Sequence, residues 1–139
     1  MTIRKIGVIG AGQMGSGIAH VCALSGYDVG LYDISTDKIE EGLATINGNM
    51  ARQVASEKIT ESDREAALSR LTPAPQMEAL AAADMVIESV TEDEEIKREI
   101  FAGVRPVLKP ETILASNTSS LSITRLASET AKPENFMFV

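Results

Sequence analysis

The stretch Lys5-Ile6-Gly7-Val8-Ile9-Gly10-Ala11-Gly12-Gln13-Met14-Gly15 constrains this chain more than any other. It reads as a short apolar strand, a turn with three glycines in GxGxxG spacing, and the first turn of a helix. Gly10 allows the tight turn. Gly12 lets phosphates approach a backbone with no Cβ in the way, and Gly15 lets the helix pack close on the strand. The helix start then offers free N–H groups and the positive end of its dipole to an anion. Glycine-rich turns are common, so the spacing alone is weak, but its context strengthens it. Asp33 lies eighteen residues past Gly15, at the end of a second apolar run, Tyr27-Asp28-Val29-Gly30-Leu31-Tyr32. A carboxylate there can accept both ribose hydroxyls of an adenosine. Strand, phosphate turn, helix and ribose-binding acid in that order imply a dinucleotide site.

The residues after Asp33 bear on which dinucleotide. A 2′-phosphate needs a nearby Arg and is repelled by a carboxylate. Ile34-Ser35-Thr36 offers no cation, so NAD is favoured over NADP, and Lys38 is the one residue arguing the other way. A charge-assisted hydrogen bond of this kind is worth about 1.5–3 kcal/mol, enough to discriminate by an order of magnitude.

Composition narrows the partners. At 139 residues the chain fits one domain with a single core, and 44% hydrophobic residues suffice to fill it. The net charge is −7 and no segment concentrates Lys or Arg, which argues against nucleic acid and anionic membrane as partners. Cys22 stands alone, so no internal disulfide is possible and a reducing compartment is expected. No basic-plus-apolar leader precedes the first strand and no apolar run approaches the length of a membrane span. The expectation is a soluble cytoplasmic domain with no metal site.

Beyond the glycine turn, Met14, Ile18, Val21, Cys22 and Ser25 follow helical spacing, and Gly26 stands where a helix C-cap favours glycine. Ser35-Thr36-Asp37 supplies caps for a long helix from Lys38 to about Glu57, with Ile39, Leu43, Ile46 and Met50 on one face. Thr60-Glu61-Ser62-Asp63 restarts a second helix carrying Ala66, Ala67, Leu68 and Leu71. This pair reads as a helical hairpin inserted after the second strand. Further strands are expected at 71–74, 84–90, 112–116 and from Phe136. Helices are expected from Asp93 or Glu94 to near Leu108-Lys109-Pro110 and from Ser120 to Ala127. Strands alternating with helices imply an α/β fold, a doubly wound parallel sheet of the Rossmann type.

Three other groups could carry chemistry. Glu92, Asp93, Glu94 and Glu95 follow the fourth strand. Carboxylates at a helix N-terminus complement its dipole by about 0.3–1 kcal/mol each, which accounts for most of them. The carboxyl ends of strands in open α/β sheets are also where ligands bind, so Glu92 and Lys97 have even standing as cofactor contacts. Ser116-Asn117-Thr118-Ser119-Ser120 exceeds what one helix cap needs and could hydrogen-bond a polar substrate or the nicotinamide ribose. His20, the single histidine, falls within the first helix, where packing or surface is its expected role. Alcohol oxidation by NAD needs a base, usually His or Lys. None is evident within reach.

Taken together, Gly10-Ala11-Gly12-Gln13-Met14-Gly15-Ser16-Gly17-Ile18-Ala19, Tyr32-Asp33, Val86-Ile87-Glu88-Ser89-Val90-Thr91-Glu92, Lys97 and Ala115-Ser116-Asn117-Thr118-Ser119-Ser120-Leu121 closely resemble the short-chain L-3-hydroxyacyl-CoA dehydrogenase family, which includes 3-hydroxybutyryl-CoA dehydrogenases. The resemblance runs over the whole chain, and the Ser-Asn-Thr-Ser-Ser run is more specific than the glycine turn. It implies an NAD-binding domain over residues 1–139 with cofactor contacts at Gly10, Gly12, Gln13, Met14, Gly15, Asp33, Glu92, Lys97 and Asn117. Ser119 matches the serine beside both the nicotinamide and the substrate hydroxyl. The hairpin matches the element that helps hold coenzyme A, with Asn49 and Lys58 as candidates there.

The chain departs from the family pattern at its end. The family's His-Phe-x-Asn-Pro segment, whose histidine is the catalytic base, would come immediately after Val139. The expectation is therefore a truncated piece lacking the C-terminal helical domain. Such a piece would bind NAD with little or no turnover. The intact enzyme would be a homodimer moving hydride between C3 of a 3-hydroxyacyl-CoA and NAD in fatty-acid or butanoate metabolism. Two alternatives remain at this point: a non-catalytic dinucleotide-binding module, and a gulonate-type dehydrogenase of the same superfamily.

Overall fold

The computed structural model describes residues 3–90 and 93–116 and the backbone of 136–138. Six strands form one sheet: β1 (Lys5–Ile9), β2 (Asp28–Tyr32), β3 (Leu71–Ala74), β4 (Met85–Glu88), β5 (Ile113–Ser116) and β6 (Phe136–Phe138). Their spatial order is β3-β2-β1-β4-β5-β6, and every neighbouring pair is parallel. The chain moves outward from β1 to β3 and returns to place β4 on the other side of β1. This reversal is the switch point at which open α/β sheets bind ligands.

Helices α1 (Gln13–Leu24), α2 (Thr36–Ala55) and α3 (Glu61–Arg70) share one core with the sheet, in which Val8, Leu31 and Ile87 meet Ala19, Ile39, Ile46, Met50 and Ala67. Helix α4 (Glu94–Val104) and a short 3-10 helix (Met77–Leu80) belong to a second core, where Phe101, Val104 and Leu80 meet Ile9, Val86 and Leu114. Adjacent strand residues point to opposite faces, so Val86 and Ile87 serve different cores. The α2–α3 hairpin forms as expected after β2. Its first helix buries Ile39, Ile46 and Met50, and its second starts with a reciprocal capping box between Thr60 and Asp63.

Two sequence expectations change. The inward face of α1 consists of Gly15, Ser16, Ala19, His20 and Ala23, whereas Met14 and Val21 are 60% and 62% exposed. A helix lying close on a sheet needs small residues at the contact, so its bulkier positions turn outward. Helix α4 ends at Val104 rather than near Leu108, because Pro106 has no N–H to continue the ladder. The helix expected from Ser120 to Ala127 lies outside the described residues.

No helix among the described residues is long and apolar enough to cross a membrane.

Candidate functional site

The glycine turn closes by a hydrogen bond from the Gly10 N–H to the Tyr32 carbonyl at 2.7 Å. Gly10 has φ of 111°, in the left-handed region, and a Cβ there would stand 2.5 Å from the Ser89 carbonyl oxygen. A Cβ on Gly15 would lie 1.7 Å from the Gly10 carbonyl oxygen, so helix and turn meet backbone to backbone. Gly12 differs from both. A Cβ there would have no atom within 4 Å, leaving its surroundings free for a ligand.

Gly12 is also the N-cap of α1, and it makes no side-chain cap hydrogen bond. The other α-helices are capped: Ser35 accepts from Lys38 N, Thr60 from Asp63 N, and Asp93 from both Glu95 N and Ile96 N. Among the described α-helices, only α1 starts without a side-chain acceptor. Its first-turn N–H groups and dipole end are therefore available to an anion. Gln13 and Met14, on this turn, are exposed.

Asp33 follows directly on β2. Its Oδ2 accepts the Ala11 N–H at 2.9 Å and its Oδ1 accepts the Ser35 N–H at 3.1 Å. Each carboxylate oxygen keeps a further lone pair for a donor from outside. A cleft of about 510 Å³ runs from Gly10 and Gly12 past Asp33 and Lys38 to the apolar side chains of Val90, Ile96 and Ile100. One end is lined by backbone and a carboxylate, the other by hydrocarbon, as an adenosine diphosphate requires. Burial, and then the neighbouring Asp33 and Glu78 carboxylates, push the Tyr32 phenol above its ordinary value, so it stays protonated at the cleft wall. A smaller cleft of about 270 Å³ lies by the amino-terminal residues Lys5 and Asp28 of β1 and β2, away from the glycine turn.

Lys97, which the sequence groups with the cofactor contacts, is fully buried, as are Glu88 and Ser116. Its Nζ donates to both Glu88 oxygens, at 2.7 and 2.6 Å. Ser116, counted above in the polar run, likewise turns inward, its Oγ donating to Glu88 Oε1 at 2.6 Å. Sequence reasoning missed this cluster. The available signal was an acid ending the apolar run Met85-Val86-Ile87-Glu88, because a buried carboxylate demands a partner. His20 is 9% exposed and its Nε2 lies 2.8 Å from Gln53 Oε1, between α1 and α2. Asn49 Oδ1 accepts from Arg52, and Lys58 is exposed. Glu92, Asn117 and Ser119 lie outside the described residues.

The family model for the 3-hydroxyacyl-CoA dehydrogenase NAD-binding domain matches residues 5–139. The chain belongs to that family. A 3-hydroxybutyryl-CoA dehydrogenase from Bradyrhizobium diazoefficiens is 57% identical over 97% of this chain and 46% of its own length. The 3-hydroxyadipyl-CoA dehydrogenase of Escherichia coli is 42% identical over 96% of this chain and 28% of its own length. Among solved structures, the (S)-3-hydroxybutyryl-CoA dehydrogenase of Ralstonia eutropha superposes with a TM-score of 0.95 at 39% identity, covering 99% of this chain and 48% of that one. This 3-hydroxyacyl-CoA dehydrogenase NAD-binding domain thus spans about half, or less, of the length of the curated relatives it matches.

Proposed function

We propose that this chain is the NAD-binding half of a 3-hydroxyacyl-CoA dehydrogenase acting on 3-hydroxybutyryl-CoA. The observation carrying this reading is the uncapped start of α1 at the unobstructed Gly12, opening on a cleft bounded by Asp33. Gly10, Gly12, Gln13, Met14 and Gly15 form the proposed diphosphate cradle, with backbone N–H groups as donors. Asp33, already oriented by Ala11 and Ser35, takes the adenosine ribose hydroxyls. Bound there, NAD supplies the acceptor for a hydride from C3 of the acyl-CoA. Glu92 and Asn117 near the nicotinamide ribose, and Ser119 beside the substrate hydroxyl, are proposed on the family resemblance alone. Lys97 enters only as the partner of Glu88.

The substrate class and the 3-hydroxybutyryl preference rest on the 57% identical relative. Removing hydride from an alcohol carbon requires a base for the hydroxyl proton. The sequence holds one histidine, His20, which is buried and bonded to Gln53 on a helix flank. We therefore propose that the chain alone binds NAD but turns over little. The intact enzyme is proposed to be a cytoplasmic homodimer.

Calorimetric titration with NADH, paired with an NADH absorbance assay using acetoacetyl-CoA, tests both parts. Saturable NADH binding with negligible turnover is expected. No binding at millimolar NADH would remove the cofactor site, and turnover near that of a full-length relative would remove the claim of inactivity.

A further inference from the structure

Two buried side-chain polar atoms among the described residues lack a hydrogen-bond partner, Arg64 Nε and Ser89 Oγ. Arg64 is nevertheless bonded through its other two nitrogens, to Glu61 and Asn47. Ser89 Oγ, the single polar atom of its side chain, is bonded to nothing. Native structures hold few such groups, because a hydroxyl taken from water without a partner is costly. An orphaned donor in a ligand cleft is explained when the ligand brings the acceptor.

Ser89 follows directly on β4 and lines the cleft shared by Gly10, Gly12 and Asp33. Its N–H donates to the Ile9 carbonyl at 2.8 Å, and its own carbonyl lies so close to Gly10 that no Cβ fits there. The next N–H, that of Val90, is held by Glu88 Oε2 at 2.6 Å. With the backbone fixed on both sides, only χ1 of Ser89 is left to turn. Staggered χ1 positions lie about 120° apart, so one step redirects the hydroxyl without moving the chain. That step sacrifices no hydrogen bond, since the resting hydroxyl makes none.

The position of Ser89 names the acceptor. Strands β1 and β4 are the neighbours between which the strand order reverses. A dinucleotide spans that reversal with its diphosphate at the start of the first helix. Phosphate oxygens are charged acceptors, and a hydrogen bond to a charged group is among the stronger ones. We infer that Ser89 Oγ donates to a diphosphate oxygen of the bound cofactor, adding a side-chain donor from the end of β4 to a cradle built of backbone N–H groups. The inference rests on the NAD-binding reading above and adds one contact to it.

Calorimetric titration with NADH and with ADP-ribose, and NMR titration with adenosine, test it on the wild type, Ser89→Ala and Ser89→Cys. The melting temperature of each is read without ligand. In Ser89→Ala, affinity for NADH and for ADP-ribose should fall together by about tenfold, while adenosine, which has no phosphate, stays within about twofold. The unliganded melting temperature should hold or rise, because the substitution removes a hydroxyl that had no partner. Ser89→Cys fills the same space with a weak donor and should lose affinity in the same direction, so a cavity is not the cause. Should Ser89→Ala fail to fold, Ser89→Cys decides alone. A loss for NADH only, or an equal loss for adenosine, would put the contact elsewhere on the ligand and overturn the inference. So would a lower melting temperature with affinities unchanged, the mark of a structural hydroxyl. Wild-type NADH binding that neither variant weakens removes this inference alone, whereas absence of wild-type binding removes the cofactor reading with it.

Discussion

Asp33 Oδ2 accepts the backbone N–H of Ala11 at 2.9 Å, joining the end of β2 to the middle of the glycine turn across 22 residues. The acid proposed to hold the ribose is thus also a brace for the loop proposed to hold the diphosphate. Replacing Asp33 by Asn keeps an acceptor but removes the charge. NADH affinity should fall about tenfold or more, from a loss of about 1.5–3 kcal/mol, while NADPH loses less because the repulsion of its 2′-phosphate is relieved. Titration with both cofactors checks this, and an unchanged NADH affinity would place the adenosine elsewhere.

Gly12 and Gly15 stand three residues apart and should respond oppositely to alanine. At Gly12 the added methyl meets nothing, so folding should change by about 1 kcal/mol or less, the difference between cap residues. NADH binding should nevertheless fall more than about tenfold, because the methyl occupies the ligand's space. At Gly15 the methyl collides with the Gly10 carbonyl, and a loss of about 3 kcal/mol or more is expected, at the severe end of single substitutions. Urea unfolding beside NADH titration separates the two. Equal behaviour would contradict the geometry of the turn.

Asp84 binds Lys109 Nζ at 2.8 Å and the N–H groups of Arg4 and Lys5 at 2.9 and 3.1 Å, pinning the amino end of β1. The Lys109 ammonium first, and then those two N–H groups, hold its carboxyl well below the usual carboxylate range. The folded pKa lies below the unfolded one, so in acid the unfolded chain binds the extra proton. The stabilisation is then full above about pH 4 and is lost as the pH drops below it. In urea, the wild type should exceed Asp84→Asn at neutral pH and converge on it in acid. A gap that widened in acid would reverse the sign of the argument.

His20 packs between α1 and α2 with its Nε2 on Gln53. His20→Leu should lower the melting temperature by about 3–4 °C, for the loss of roughly 1 kcal/mol, and leave NADH affinity unaltered. Thermal unfolding and cofactor titration on one sample check it. A selective loss of cofactor binding would give this histidine a role at the site.

The glycine turn and Asp33 were legible in the sequence because their chemistry is local: a positive φ, a close backbone approach and a carboxylate at a strand end each leave a mark on a short stretch. The hairpin was legible for a similar reason, since Ser35 and Thr60 announce helix starts and Ile39, Ile46 and Met50 recur at helical spacing. The buried side of α1 was not. Its contact positions, Gly15, Ala19 and Ala23, are chosen for smallness, so a search for bulky apolar residues selects the exposed Met14 and Val21. Nor was the pairing of Glu88 with Lys97 and Ser116, which depends on two strand ends and a helix arriving at one point. Lys97 and Ser116 look like surface groups until the fold encloses them.

The α2–α3 hairpin draws its apolar residues from the same core that supports β1 and β2, and Arg70 at its end donates to the Ala23 carbonyl of α1 at 2.8 Å. An element rooted this way does not swing. Any molecule arriving on that flank meets a fixed wall, and its fit is decided by the side chains displayed there rather than by closure around it. Exchanging that outer display between homologues, with the inward residues kept, is accordingly the natural route to altering what the flank accepts.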